Sequence, residues 1–226
     1  MSGIQIEFRD MCFYYEGAEI LFADINYQFP DSKVVRICSR IPGKSTLLKI
    51  IAGITPVSQG QFLINGQNIY EMSFEEFLPL RLKIGYGFDS GGLLNNKTLL
   101  ENILLPLQYH KRESEHLEAK LLKLLNRFKL ERVQHLRPFA VSGSLRKAAC
   151  LVRSIILEPE ILILDEPDAG LKDDGIVALC QSLEEELERG LKQVIYTSDN
   201  LILEKRLGPV DVWLQTNRFE QKRIAA

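Results

Sequence analysis

The segment VVRICSRIPGKSTLLKIIAG, residues 34–53, constrains this chain most: a short apolar strand runs without a linker into a loop that opens a helix. Such a loop binds phosphate when glycines let backbone N–H groups approach, a lysine reaches the β/γ oxygens and a hydroxyl serves Mg²⁺. Gly43, Lys44, Ser45 and Thr46 supply the second half of G-x-x-x-x-G-K-[ST], while the opening glycine position holds Cys38. Gly-Lys-Ser-Thr alone also fits an ordinary helix start, so its meaning depends on what surrounds it.

The surroundings alternate. IQIEF, INYQF and KVVRIC read as strands, Lys44 to Ala52 as a helix, and QFLI and IGYGF as further strands. In the middle, Leu117, Leu121, Leu124, Leu125 and Phe128 recur at three-and-four spacing, the mark of a helix with one buried stripe. Then come a helix through RKAACLVRSIIL, the strand ILIL, an acidic helix to Glu188 closed by Gly190, the strand QVIYT and a last strand VDVWLQ. Short buried strands between helices imply an α/β sheet that presents loops at its strand ends. The helical block, about residues 90 to 145, reads as a lobe inserted into a single domain spanning 1–226. That agrees with 226 residues at about 150 per domain, which predicts one large domain or one domain with a lobe.

Charge and cysteine content exclude several classes. A net charge of −2 gives no electrostatic reason to expect nucleic acid as a partner. The start MSGIQIEFRDMC has no basic leader before an apolar stretch, and runs such as LKIIAGI fall short of the ~20 residues a bilayer span needs. Cys12, Cys38, Cys150 and Cys180 are widely spaced without a C-x-x-C pair, so reduced, space-filling thiols in a cytoplasm are expected.

Two further segments carry chemistry. ILILDEP, residues 161–167, is a buried strand with Asp165 at its carboxyl end, where a carboxylate can hold Mg²⁺ through water, and Glu166 beside it to orient or deprotonate an attacking water. An acidic pair after a strand is also a common helix entry; its following a phosphate loop in the same α/β pattern favours the site. In AVSGSLRKAAC, Ser142, Gly143 and Ser144 precede a helix whose free N–H groups and dipole suit an anion, although the same residues make an ordinary N-cap.

Taken together, these motifs resemble the nucleotide-binding subunit of an ATP-binding cassette (ABC) transporter over nearly the whole chain. The resemblance implies a P-loop NTPase fold with a RecA-like sheet core, an N-terminal antiparallel β part and the helical lobe. It implies ATP and Mg²⁺ as ligands, a head-to-tail pairing with a second nucleotide-binding subunit, and docking to a membrane permease at the cytoplasmic face. By the same resemblance Tyr15 in FYYEG stacks on adenine, and Ser142, Gly143 and Ser144 form the signature that faces a partner's γ-phosphate. Ser45, Asp165 and Asp89 fall at the metal, and Asp89, Glu166 and Ser198 at the Q-loop, Walker B and H-loop catalytic positions. IGYGFDSGGLLNNKTLLENILLPLQYH and DEPDAGL look most like bacterial lipid-transport ATPases of the lipid-asymmetry and mammalian-cell-entry type.

Several phosphate-facing positions depart from that pattern. Cys38 and Ile41 replace two Walker A glycines; a β-branched Ile41 held in a left-handed conformation implies about 1–3 kcal/mol of strain and a reshaped loop. Asp89 replaces the Q-loop glutamine, Ser144 and Leu145 the Gly-Gln of the signature, Lys172 a D-loop aspartate and Ser198 the H-loop histidine. Asp89 can still ligate a metal as a hard oxygen but adds negative charge beside the phosphates. Losing one group that stabilises transition-state charge costs about 10² to 10³ in rate. Retention of Tyr15, Lys44, Ser45 and Asp165 therefore implies binding of Mg·ATP with weak or absent hydrolysis. A working ATPase that drives a permease, favoured by Lys44 and Glu166, is the alternative.

Overall fold

The computed structural model describes residues 4–89, 92–112, 114–215 and 218–222. Ser90, Gly91 and Glu113, which fall within the expected lobe, lie outside the described residues, as do the termini of the expected 1–226 domain. Two sheets organise the chain. The smaller is antiparallel, in the order β2-β1-β4-β5, from β1 (Ile6–Tyr14), β2 (Ile20–Gln28), β4 (Gln59–Ile64) and β5 (Gln67–Asn68). The larger contains β3 (Val34–Ser39), β6 (Ile84–Gly87), β7 (Ile161–Leu164), β8 (Gln193–Tyr196), β9 (Val210–Gln215) and β10 (Arg218–Lys222), in the order β10-β9-β3-β8-β7-β6. All neighbours in it are parallel except β9 and β10. VDVWLQ is thus not the last strand: β10 folds back on it, and its Phe219 is buried against Phe8, Phe22 and Tyr27 of the smaller sheet.

β6, β7 and β8 are buried at every position, because helices cover both faces of a parallel sheet. On one face α1 (Lys44–Ile51) is sandwiched with the smaller sheet around Phe8, Phe22, Phe62 and Ile50. α2 (Phe74–Arg81) begins with a Ser73–Glu76 capping box and packs Phe77 against that core. On the other face lie α5 (Gly143–Ile155), α6 (Asp173–Arg189) and α7 (Leu201–Leu207), sharing one core with α3 (Leu99–Tyr109) and α4 (Glu115–Arg127). Asn102 of α3 is fully buried and pins the incoming chain, accepting from Leu94 N at 2.7 Å and donating to Leu94 O at 3.0 Å. α4 joins α6 mainly by charge, through Lys120–Glu186, Lys123–Glu185 and Arg127–Glu185.

Two close contacts tie the larger sheet to the elements around it. Arg36 of β3 is buried and holds Asp211 of β9 with two bonds of 2.7 Å and Glu204 of α7 with a third, tying three elements beside the loop that follows β3. Gly85 of β6 lets α5 lie close: a Cβ there would stand 2.7 Å from Ser154 O. No helix among the described residues is long and apolar enough to cross a membrane.

Candidate functional site

β3, β8, β7 and β6 all point their carboxyl ends the same way, where ligands bind in open α/β sheets. After β3 the chain turns through Arg40, Ile41, Pro42 and Gly43 into α1. Gly43 takes φ 121°, and a Cβ there would lie 2.9 Å from Phe22 Cζ, so glycine is required. Ile41 does not take the left-handed backbone expected of it; its φ is not positive. Ser39 Oγ donates to Ile41 O at 2.6 Å and accepts from Ile41 N at 3.0 Å, closing a local turn that suits any side chain. Cys38 also needs no glycine, since it lies in extended β3 and pairs with Trp213 of β9. Burial pushes its thiol up to about 11, so it stays protonated.

This turn takes two donors from the loop, because Ile41 N is engaged and Pro42 has none. The first amides of α1 remain: its first internal bond is Leu47 N to Gly43 O at 2.8 Å, leaving the amides ahead of Leu47 without intrahelical acceptors. Lys44 and Ser45 have no side-chain partner among the described residues. Lys44 lines a pocket of about 350 Å³ with Glu166, Asp168, Ser198, Asp199 and Asn200. Tyr15 is half exposed and its hydroxyl lies 2.8 Å from Thr46 Oγ1, which ties it to the same helix.

The strands beside this loop are finished differently. Asp165, 4% exposed, accepts from Thr197 Oγ1 at 3.0 Å, and Thr197 accepts from Glu166 N at 2.8 Å. A buried carboxylate needs such a partner, since an unpaired one costs several kcal/mol. Glu166 holds φ 41°, which a non-glycine residue rarely adopts. Ser198 Oγ accepts from Asn200 N at 2.9 Å. Asp89, after β6, is half exposed, and its carboxylate lies 3.8 Å from Lys147 Nζ of α5. Lys147 is 5% exposed, and burial pulls its ammonium below the ordinary lysine range while Asp89 opposes that shift.

The structure therefore gathers Lys44, Glu166 and Ser198 in one pocket, with Asp165 behind Glu166, Asp89 on the neighbouring strand end and Tyr15 attached through Thr46. Ser142 and Ser144 line a separate pocket of about 290 Å³, with Leu145, Leu171 and Lys172. Ser142 caps α5 by accepting from Leu145 N at 3.4 Å. Thr197 and Lys147 escape a reading of the sequence alone. Lys147 did carry a signal: it starts an i, i+4, i+8 stripe with Leu151 and Ile155, all buried, and a cation on an apolar face demands a partner.

One ammonium among three lining carboxylates gives the pocket a negative balance, which a divalent cation accompanying a polyphosphate would offset. Ser45, Asp165 and Asp89 offer hard oxygens that suit Mg²⁺, which usually takes one or two carboxylates and leaves other positions to water and phosphate. No cluster of three or more His, Cys, Asp or Glu that could hold a metal alone occurs among the described residues, in keeping with that sparse set.

Comparison with known proteins converges on one family. A model described as ABC transporter matches residues 24–169. The intermembrane phospholipid transport system ATP-binding protein MlaF of Haemophilus influenzae is 30% identical over 208 residues, covering 88% of this chain and 76% of that protein. The cell division ATP-binding protein FtsE of the same species is 30% identical over 203 residues, covering 88% of this chain and 93% of that one. A bacterial ABC transporter cassette solved as a dimer superposes with a TM-score of 0.84 at 24% identity, over 98% of this chain and 99% of that one, which establishes the fold.

Proposed function

The chain belongs to the ABC transporter family of ATP-binding cassettes, and on that premise we propose that it is the nucleotide-binding subunit of a lipid transporter that binds Mg·ATP and turns it over slowly. The observation that carries this reading is the contrast within the cluster of loops at one edge of the larger sheet. Lys44, Ser45 and the first amides of α1 are left without protein partners, as a phosphate site requires, while Ser198 is bonded to Asn200 and Asp89 leans on Lys147. In this reading Ser45, Asp165 and Asp89 hold Mg²⁺, Lys44 and the α1 amides hold the phosphates, and Tyr15 packs on the base. A bound Mg²⁺ supplies charge neutralisation of the phosphate oxygens. Glu166 orients the attacking water. Ser198, short and neutral, offers the γ-phosphate neither the reach nor the charge of an imidazole.

Ser142 and Ser144 open on a different pocket from Lys44, so one chain alone does not bring signature and phosphate loop together. That supports pairing with a second nucleotide-binding subunit, each nucleotide lying between the Lys44 face of one and the Ser142 face of the other, with a permease holding the pair at the cytoplasmic side of a membrane. The lipid substrate rests on the likeness to MlaF, a protein of an intermembrane phospholipid transport system.

The test is Mg·ATP binding and steady-state phosphate release by the unmodified protein, Glu166→Gln, and the double variant Asp89→Gln/Ser198→His. Saturable binding with slow release, faster in the double variant by about 10², is the expected outcome. Brisk release by the unmodified protein that vanishes in Glu166→Gln overturns slow turnover and establishes the working ATPase instead.

A further inference from the structure

The β6–β7 ladder stops at Gly87 opposite Leu164, with one more bond from Asp165 N to Gly87 O at 2.9 Å. Beyond it the two strand ends part, carrying Asp89 on one and Asp165 on the other. At that point a side chain from a third element takes over. Lys147 Nζ donates to Phe88 O at 3.3 Å, Asp89 O at 3.1 Å and Asp165 O at 3.2 Å. An ammonium has three N–H groups and no acceptor, so all three are spent on backbone carbonyls of the two parting strands. Its charge is offset by the Asp89 carboxylate at 3.8 Å.

The geometry points to Lys147 as a positioning residue that sets the spacing of Asp89 and Asp165, and thereby the Mg²⁺ requirement for nucleotide binding. This rests on the reading of the pocket as an Mg·ATP site. A single cation holds the backbone carbonyls of both Asp89 and Asp165, so the two stretches of backbone from which these carboxylates project are tied to the same nitrogen. It also answers the extra negative charge that Asp89 brings beside the phosphates, because that carboxylate already has a buried cation near it. A glutamine offers two N–H groups and no charge, and a methionine offers neither, so neither can fill three carbonyls and balance Asp89. The same ammonium sits one helical turn from Gly143, so the strand ends are joined to the helix that opens with Ser142 and Gly143.

Binding of a fluorescent ATP analogue to the full chain is titrated against Mg²⁺ in wild type, Lys147→Gln, Lys147→Met, Asp89→Asn and Lys147→Gln/Asp89→Asn, with thermal melts alongside. In Lys147→Gln the Mg²⁺ concentration for half-maximal binding rises at least tenfold and metal-free affinity falls. Asp89→Asn in that background restores the metal-free affinity but not the metal response. A Mg²⁺ requirement within twofold of wild type in a folded Lys147→Gln, or Lys147→Met should Gln not fold, overturns the positioning role whatever the melting temperature does. Failure of the wild type itself to bind the analogue removes the Mg·ATP reading and this role with it, whereas normal wild-type binding with an unmoved metal response removes only the role of Lys147.

Discussion

The loop after β3 and the carboxylate junction at the ends of β6, β7 and β8 lie at the same edge of one sheet, yet they are finished to different degrees. At the junction the groups around the carboxylates have partners in the protein: Asp165 has Thr197, Thr197 has Glu166 N, and Lys147 has three carbonyls, while the hydroxyls of Tyr86 and Tyr196 on β6 and β8 are buried without a partner among the described residues. In the loop the reverse holds, with Lys44, Ser45 and the first α1 amides unpaired among the described residues. Groups that find partners on folding stabilise the fold, and groups left open keep their interaction energy for a ligand. The difference assigns binding to one region and rigidity to the other, and substitutions in the two should separate along those lines.

Lys44→Met carries the largest expected effect. A hydrogen bond to a charged group contributes about 1.5–3 kcal/mol, so affinity for Mg·ATP should fall by roughly 10- to 150-fold, with the melting temperature unchanged because Lys44 supports nothing else. Equilibrium titration and a thermal melt on the same preparation check it; a melting shift without loss of affinity would break the comparison. Thr197→Val comes next. It keeps the shape but strips Asp165 Oδ1 and Glu166 N of a buried partner, costing about 1–3 kcal/mol of stability. At about 2–4 °C per kcal/mol for a chain of this size, the melting temperature drops by several degrees. Nucleotide affinity should change less than in Lys44→Met, and the reverse ranking would exchange the roles of the two regions.

How far the sequence revealed these regions follows from how local each one is. β7 and β8 were readable because strands buried on both faces leave unbroken apolar runs, and Gly43 to Thr46, Asp165 and Glu166 were readable because each group is contiguous. α2 was not readable: it has no fully buried residue, its apolar positions form no stripe, and Pro79 lies inside it, so its capping box is its main local signal. β10 escaped because its weight rests on one residue, Phe219, packed on a distant sheet. At the site, Lys147 and Thr197 act on residues 18 and 32 positions away, which only the fold brings close. Ile41 departs from the sequence expectation for the opposite reason. A hydroxyl two residues earlier supplies a turn that replaces the glycine geometry, and such side-chain competition for the backbone is invisible in a pattern that records glycines alone.

The smallest expected effect sharpens the contrast inside the loop itself. Pro42 carries no N–H and Ile41 N is held by Ser39, so the segment between β3 and α1 presents fewer amides to an anion than its length allows. Pro42→Ala restores one donor in front of a helix whose first amides are already without intrahelical acceptors. The gain should be a few-fold in Mg·ATP affinity, about 0.5–1 kcal/mol, below the full value of a charge-assisted bond because the freed loop has more chain entropy to lose on binding. Stability should move the other way, falling by about 0.4–1 kcal/mol as the unfolded chain loses the restriction of proline. Opposite signs from one substitution, read by titration and by melt, are what a region built to await a ligand predicts. A variant that loses both affinity and stability would mean that Pro42 shapes the turn on which Gly43 and Lys44 depend.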